Sequence, residues 1–137
     1  MSELDVIRNY YQTIVSADFP HAVAPDDGRK RLKAVSIRGC HGNSKNLLFF
    51  SVETEDSVVQ RIGYDCQYCD VTMYVTADLI CELALGRSID AVSQINETEI
   101  SEALEGQSKK ILRQAQTSIE LLADGLRSEA AAPPPPG

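Results

Sequence analysis

Residues 58–86 read VVQRIGYDCQYCDVTMYVTADLICELALG, and the change of pattern inside this stretch decides the fold. Residues 58–64 (VVQRIGY) are rich in β-branched and aromatic side chains and read as a strand. Residues 70–85 (DVTMYVTADLICELAL) are apolar around most of a helical circumference, and Gly86 follows where a C′ glycine belongs. A helix of that kind is central and buried. Between strand and helix lies Cys66-Gln67-Tyr68-Cys69, a spacing that lets two sulfurs face one ion.

Working outward, residues 47–53 (LLFFSVE) give the strongest strand signal, and Thr54-Glu55-Asp56-Ser57 reads as a hairpin turn. Residues 31–38 (RLKAVSIR) form another strand, joined to the next by the turn-like stretch 39–46. Two short connections in succession predict an antiparallel meander. Near the N-terminus, Leu4, Ile7, Tyr11 and Ile14 recur at helical spacing, and a Pro/Asp/Gly-rich loop follows from Asp18 to Gly28. Beyond Gly86, Ser88 and Thr98 are placed to cap short helices over 89–94 and 99–104. After Gly106, Ile111, Ala115, Ile119, Leu122 and Leu126 mark the apolar stripe of a last helix. The predicted fold is α+β: a three-stranded antiparallel meander packed against a bundle of helices. It occupies one domain over residues 1–128. Residues 129–137, alanines followed by four prolines and a glycine, read as a disordered Ala/Pro-rich tail. Such a tail is a solvated terminus or a ligand for a proline-reading domain.

Of 137 residues, 43% are hydrophobic, enough for a core that needs neither disulfide nor metal to fold. With no Trp and three Phe, that core is aliphatic. The net charge of -7 disfavours nucleic acid and anionic membrane surfaces, and suits steering toward a basic protein partner. The N-terminus resembles neither a secretory signal nor a transit peptide, and no run of apolar residues reaches membrane-spanning length, so a cytoplasmic protein is expected. There are four cysteines, at 40, 66, 69 and 81. In a reducing compartment such a set points to metal or catalysis before disulfides.

The meander carries a geometric consequence. Its first and third strands end at the same edge of the sheet. Cys40 and Cys66 each follow the predicted end of one of those strands by two residues. Next-neighbour strands are about 10 Å apart, so loops leaving that rim can bring Cys40, Cys66 and Cys69 to one point. The positive end of the following helix favours thiolates at Cys66 and Cys69. His41, Asp65 or Asp70 could complete a tetrahedral set, although Asp70 also reads as a helix cap and His41 as a solvated loop histidine. A redox dithiol is the other reading of the C-x-x-C, but that motif belongs after the first strand of a βαβ unit. Cys81 reads as a buried thiol of the long helix, and His21 as a surface residue far from the cysteines.

With these residues in place, the chain resembles the NifU/IscU-type iron–sulfur cluster scaffold family over roughly residues 4–122. The resemblance rests on the Tyr-containing first helix (IRNYYQ), Ile37-Arg38-Gly39-Cys40, Tyr64-Asp65-Cys66, and the run Glu82-Leu83-Ala84-Leu85-Gly86-Arg87-Ser88-Ile89-Asp90. Ile95-Asn96-Glu97-Thr98-Glu99-Ile100 also looks like the family's next element. It implies a [2Fe–2S] cluster, iron or zinc held by cysteines, sulfur received from a cysteine desulfurase, and transfer to iron–sulfur acceptor proteins. Cys40 and Cys66 match the family's first two ligand cysteines. The chain departs from the pattern at Gly42, where the family has aspartate, and over Ser108–Arg113, where the family's third cysteine is absent. It adds Cys69, which can replace that thiolate, with Lys109, Lys110 and Arg113 nearby as cations.

The expected function is therefore a non-enzymatic scaffold or carrier that binds iron and sulfide, or a [2Fe–2S] cluster, through Cys40, Cys66 and Cys69. A zinc-binding or sulfur-acceptor protein is the alternative, as is a regulatory module that kept the fold and lost cluster assembly. The sequence contains no G-x-S-x-G, phosphate loop or H-E-x-x-H.

Overall fold

A computed structural model describes residues 2–23, 30–37, 46–67 and 69–131, with 30–37, 46–47 and 129–131 described by their backbone alone. The chain is α+β. Helix α1 (Glu3–Ser16) precedes strands β1 (Lys30–Ile37), β2 (Asn46–Glu55) and β3 (Val58–Gln67), which form an antiparallel sheet in the order β1-β2-β3. Helices α2 (Val71–Ala84), α3 (Ile89–Ser93), α4 (Glu97–Leu104) and α5 (Lys109–Ala131) follow. Helix α5 thus continues past residue 128, where the domain was expected to end. The remaining tail, residues 132–137, lies outside the described residues, as do 24–29 and 38–45.

Alternation along the strands selects the core face. Leu48, Phe50 and Val52 of β2 are buried, and each sits opposite a β3 residue of the same face: Cys66, Tyr64 and Ile62. The β2–β3 connection is two residues long, with Asp56 at φ 52° and Ser57 at φ 63°. Two successive left-handed residues give the turn whose twist suits a hairpin.

Helix α2 lies on this face, against β3, α1, α4 and α5. Buried side chains occur all round it, from Thr72 and Met73 to Cys81 and Ala84, as the sequence predicted for a central helix. Asp70 caps its start by accepting from the Met73 amide at 2.9 Å. Gly86, at φ 81°, follows its end in the conformation glycine adopts without strain. The expected stripe of α5 is buried at Ile111, Ala115, Ile119, Leu122 and Leu126.

Three local expectations are corrected. Leu4 is 62% exposed, because α1 turns Val6, Ile7 and Ile14 inward and leaves Leu4 at the rim of a groove. The cap of α4 is Asn96, not Thr98: Asn96 accepts from the Glu99 amide at 3.0 Å while the Glu99 carboxylate accepts from the Asn96 amide at 3.1 Å. That reciprocal box satisfies two helix-end donors at once. His21 is not a surface residue, since its side chain is 16% exposed and lies 2.7 Å from Glu82 Oε1.

The loop carrying His21 also covers a strand edge. Tyr64 N donates to His21 O at 2.8 Å and Val23 N to Tyr64 O at 2.9 Å, so residues 21–23 pair with β3. Farther along, Val59 N donates to Arg87 O and Gly86 N to Val59 O, both at 2.8 Å. Segments from two loops thus satisfy backbone groups that an open edge would leave exposed. The close pairing requires Gly63: a Cβ there would lie 2.6 Å from Val23 Cγ1 and 2.8 Å from His21 O. Because His21 O cannot retreat without losing its bond to Tyr64, Gly63→Ala should destabilise by about 1–3 kcal/mol. Urea unfolding would read this as a lower midpoint at unchanged slope.

Under the same loop, Tyr10 donates to Asp78 Oδ2 at 2.8 Å. Asp78 Oδ1 and the Tyr64 hydroxyl are buried with no hydrogen-bond partner among the described residues. Burial raises the Asp78 carboxyl above its ordinary value, opposed by the Tyr10 hydrogen bond and His21 and assisted by Glu82. The native carboxyl then binds protons over a range where the unfolded one has released them. Its contribution to stability is complete below the ordinary carboxylate value and is lost as pH rises through the raised native one. Asp78→Asn should therefore gain stability relative to the parent as pH rises from 4 to 8. Urea melts across that range showing a constant difference would contradict the sign.

Candidate metal centre at the strand-to-helix rim

Strand β3 hands the chain to α2 within a few residues, and the candidate cysteines sit at that handover. Cys66 does not follow the strand, as the sequence suggested, but lies within it, opposite Leu48. The strand runs past Tyr64 because Asp65, Cys66 and Gln67 continue to pair with Phe49, Leu48 and Leu47. Cys66 consequently shares the core face with Tyr64 and Ile62, while Asp65 and Gln67 alternate to the other face. Cys69 stands immediately before Asp70, the cap of α2.

This arrangement brings the two sulfurs together. Cys66 and Cys69 are joined as a disulfide, with Cα atoms 5.8 Å apart. Both residues are half-buried against the edge of the core. Cys69 Sγ also lies 3.5 Å from Gln67 O. Cys81 is fully buried on α2, as expected. Cys40 and His41, the other candidate ligands, lie outside the described residues. Their strand does end at this rim: Ser36, Leu47 and Gln67 form one row across the sheet, and Val35, Leu48 and Cys66 the next.

The acidic candidates have other engagements. Asp70 directs Oδ1 to the Met73 amide and lies 3.7 Å from Lys110 Nζ through Oδ2. Asp65 accepts from Gln67 Nε2 at 3.4 Å on the face opposite Cys66. Among the described residues, no group of three or more His, Cys, Asp or Glu side chains has metal-holding geometry. Two thiolates on one tetrahedral ion lie about 3.8 Å apart. Cα atoms at 5.8 Å permit that separation once the sulfurs part, so the pair itself suits a thiophilic ion.

Of the three cations expected near the site, the structure places Lys110 beside Asp70, while Lys109 and Arg113 are exposed. Lys110 is set by a residue that sequence reasoning passed over. Glu3 Oε1 accepts from the Ser108 hydroxyl at 2.6 Å and from the Lys110 amide at 3.2 Å. These two bonds hold the Glu3 carboxyl below its ordinary value and tie α1 to the start of α5. The pairing spans most of the chain, so no local pattern could have announced it.

The fold is that of a NifU-like N-terminal domain. It is shared with a crystal structure from Brucella abortus described as a nitrogen-fixing NifU-like protein (N-terminal), with a TM-score of 0.62 over 96% of this chain and 100% of that one. Sequence identity between the two is 13%, so the likeness is one of fold. A hypothetical protein solved at 2.3 Å matches 89% of this chain and 96% of its own at 15% identity, with a TM-score of 0.46. No protein-family model matches the sequence, and no curated protein sequence does. Among the described residues, no helix is long and apolar enough to cross a membrane.

A disulfide between residues three apart closes a very short loop, for which chain entropy allows only about 2 kcal/mol. The large core does not depend on it. Reduction, or Cys69→Ser, should therefore lower unfolding stability by no more than about 2 kcal/mol and leave the far-UV spectrum unchanged. Global unfolding on reduction would show the bond to be a structural staple.

Proposed function

We propose that the chain binds iron and sulfide, or a [2Fe–2S] cluster, as cargo on thiolates at the strand-to-helix rim and passes it to acceptor proteins. The single observation carrying this reading is the convergence of Cys66 and Cys69 at the rim where β1 also ends. Cys40 follows Ile37 by three residues, so covalent geometry keeps its Cα within about 11 Å of that strand end. Next-neighbour strands are about 10 Å apart, so a third thiolate is within reach of the pair. The NifU-like fold supports the same location. Its departures in sequence, Gly42 and the absence of cysteine over Ser108–Arg113, make Cys69 the third thiolate. His41 is the candidate fourth ligand. Lys110 would offset part of the negative charge that three thiolates and a cluster bring.

In this reading the protein catalyses no reaction of its own. Its partners are a cysteine desulfurase that supplies sulfur and the apo-proteins that receive the cluster. The test is anaerobic reconstitution of reduced protein with ferrous iron and sulfide. A visible-absorbing chromophore with bound iron and acid-labile sulfide should form. Cys40→Ser, Cys66→Ser and Cys69→Ser should each deplete both. A colourless, iron-free wild-type protein with all three thiols reduced would defeat the proposal. Zinc retained without sulfide would replace the cluster by a thiolate zinc site.

A further inference from the structure

We propose that Cys66 and Cys69 form a reversible dithiol–disulfide couple, and that its oxidation closes the metal site. The second half of this statement rests on the thiolate site proposed above; the couple itself does not.

Three features point to a working couple. The bond is reachable, because both cysteines are half-buried at the end of the sheet, whereas Cys81 is sealed at 0% exposure. It closes a loop too short to stabilise the fold much, so the core persists in either state. An acceptor also lies at hand, since Gln67 O is 3.5 Å from Cys69 Sγ in the disulfide and could accept a hydrogen bond from the thiol on reduction. A C-x-x-C at the end of an antiparallel strand, rather than in a βαβ unit, arrives at the same local chemistry from another scaffold.

The exchange needs a dithiol reductant, either a small molecule or a protein carrying two neighbouring thiols. One thiolate of the reductant attacks a sulfur of the pair. The Cys66–Cys69 bond breaks and a mixed disulfide forms. The reductant's second thiol then displaces the protein sulfur. Two electrons and two protons have passed to Cys66 and Cys69, and the reductant leaves as its own disulfide. In the oxidised state each sulfur spends its bonding electrons on the other, and neither is a thiolate able to hold metal. Oxidation therefore withdraws two of the three proposed thiolate ligands together.

The test uses the full chain in dithiothreitol buffers of graded thiol-to-disulfide ratio, without metal. Free thiols are trapped by alkylation and located by peptide mass. A two-electron titration confined to residues 66 and 69 is expected, and Cys66→Ser or Cys69→Ser should abolish it. Samples from each ratio are then freed of dithiothreitol anaerobically, given ferrous iron without sulfide (which would itself cleave the disulfide), desalted and assayed for iron. Retained iron should fall at least about tenfold across the titration. If no 66–69 disulfide forms at any ratio, the couple is refuted. Equal iron on both sides of a clean titration refutes the gating alone. Absence of iron on both sides refutes the proposed cargo site and the gating with it, while the titration still upholds the couple.

Discussion

Everything in this molecule is arranged around the burial of α2. Its sides meet β3, α1, α4 and α5, and only positions such as Val71 and Glu82 reach solvent. Contact with four elements fixes its axis and rotation more tightly than a single stripe could. The polar groups carried inward must then find partners inside. Thr76 binds Thr72 O at 2.8 Å and Gln114 Oε1 at 3.0 Å, and Asp78 accepts from Tyr10. These bonds join α2 to α5 and α1 by specific atoms, where apolar packing would tolerate sliding. Once the axis is fixed, the position of its first turn is fixed too, and with it Asp70 and Cys69.

The same corner gathers charge from three helices. Asp70 starts α2, Lys110 starts α5, and Glu3 reaches from α1 to the amide and hydroxyl groups at the α5 start. Carboxylates at helix N-termini are favourable because they meet donors that the helix leaves unused. Lys110 lies between the two acids in space and in charge. The start of α2 thus has a cation beside its cap, and that cation is braced through its backbone. The remaining edge of β3 is protected by the loops carrying His21–Val23 and Gly86–Ile89.

What could be read from the sequence follows the range of the forces involved. The α2 pattern, Gly86, the Ser88 cap and the α5 stripe are local or periodic, and each sits where the spacing put it. The errors occur where a distant group decides. Leu4 shares its helical spacing with Ile7 and Ile14, yet α1 is rolled by its contacts with α2 and α4 so that Val6 goes inward instead. His21 looks like a loop residue until Glu82, 61 positions away, comes beside it. Cys66 seemed to lie beyond its strand because Asp65 is a poor strand former, but pairing with β2 overrides that propensity. At the site, the convergence of Cys66 with Cys69 was legible from a spacing of three residues. The Glu3–Ser108–Lys110 link, whose acid and hydroxyl are 105 positions apart, was not.

The contrast between α2, packed into the core, and the half-buried cysteines at its start is what would let one pair of cysteines serve both proposed chemistries. A disulfide and a chelated ion differ by about 1.8 Å in sulfur separation. Rotation about the side-chain torsions can supply that difference with the Cα atoms 5.8 Å apart, leaving the strand and helix where the core holds them. Were Cys66 sealed among the core as Cys81 is, neither an ion nor an attacking thiol could reach it. If instead both cysteines lay on an open loop, ordering them would oppose each binding event. Cys66 is held by a paired strand and Cys69 by its place before a capped helix, so their spacing is set by the fold. The stability that holds them there comes from α2 and the sheet, so making or breaking the bond at the rim would leave the core contacts in place.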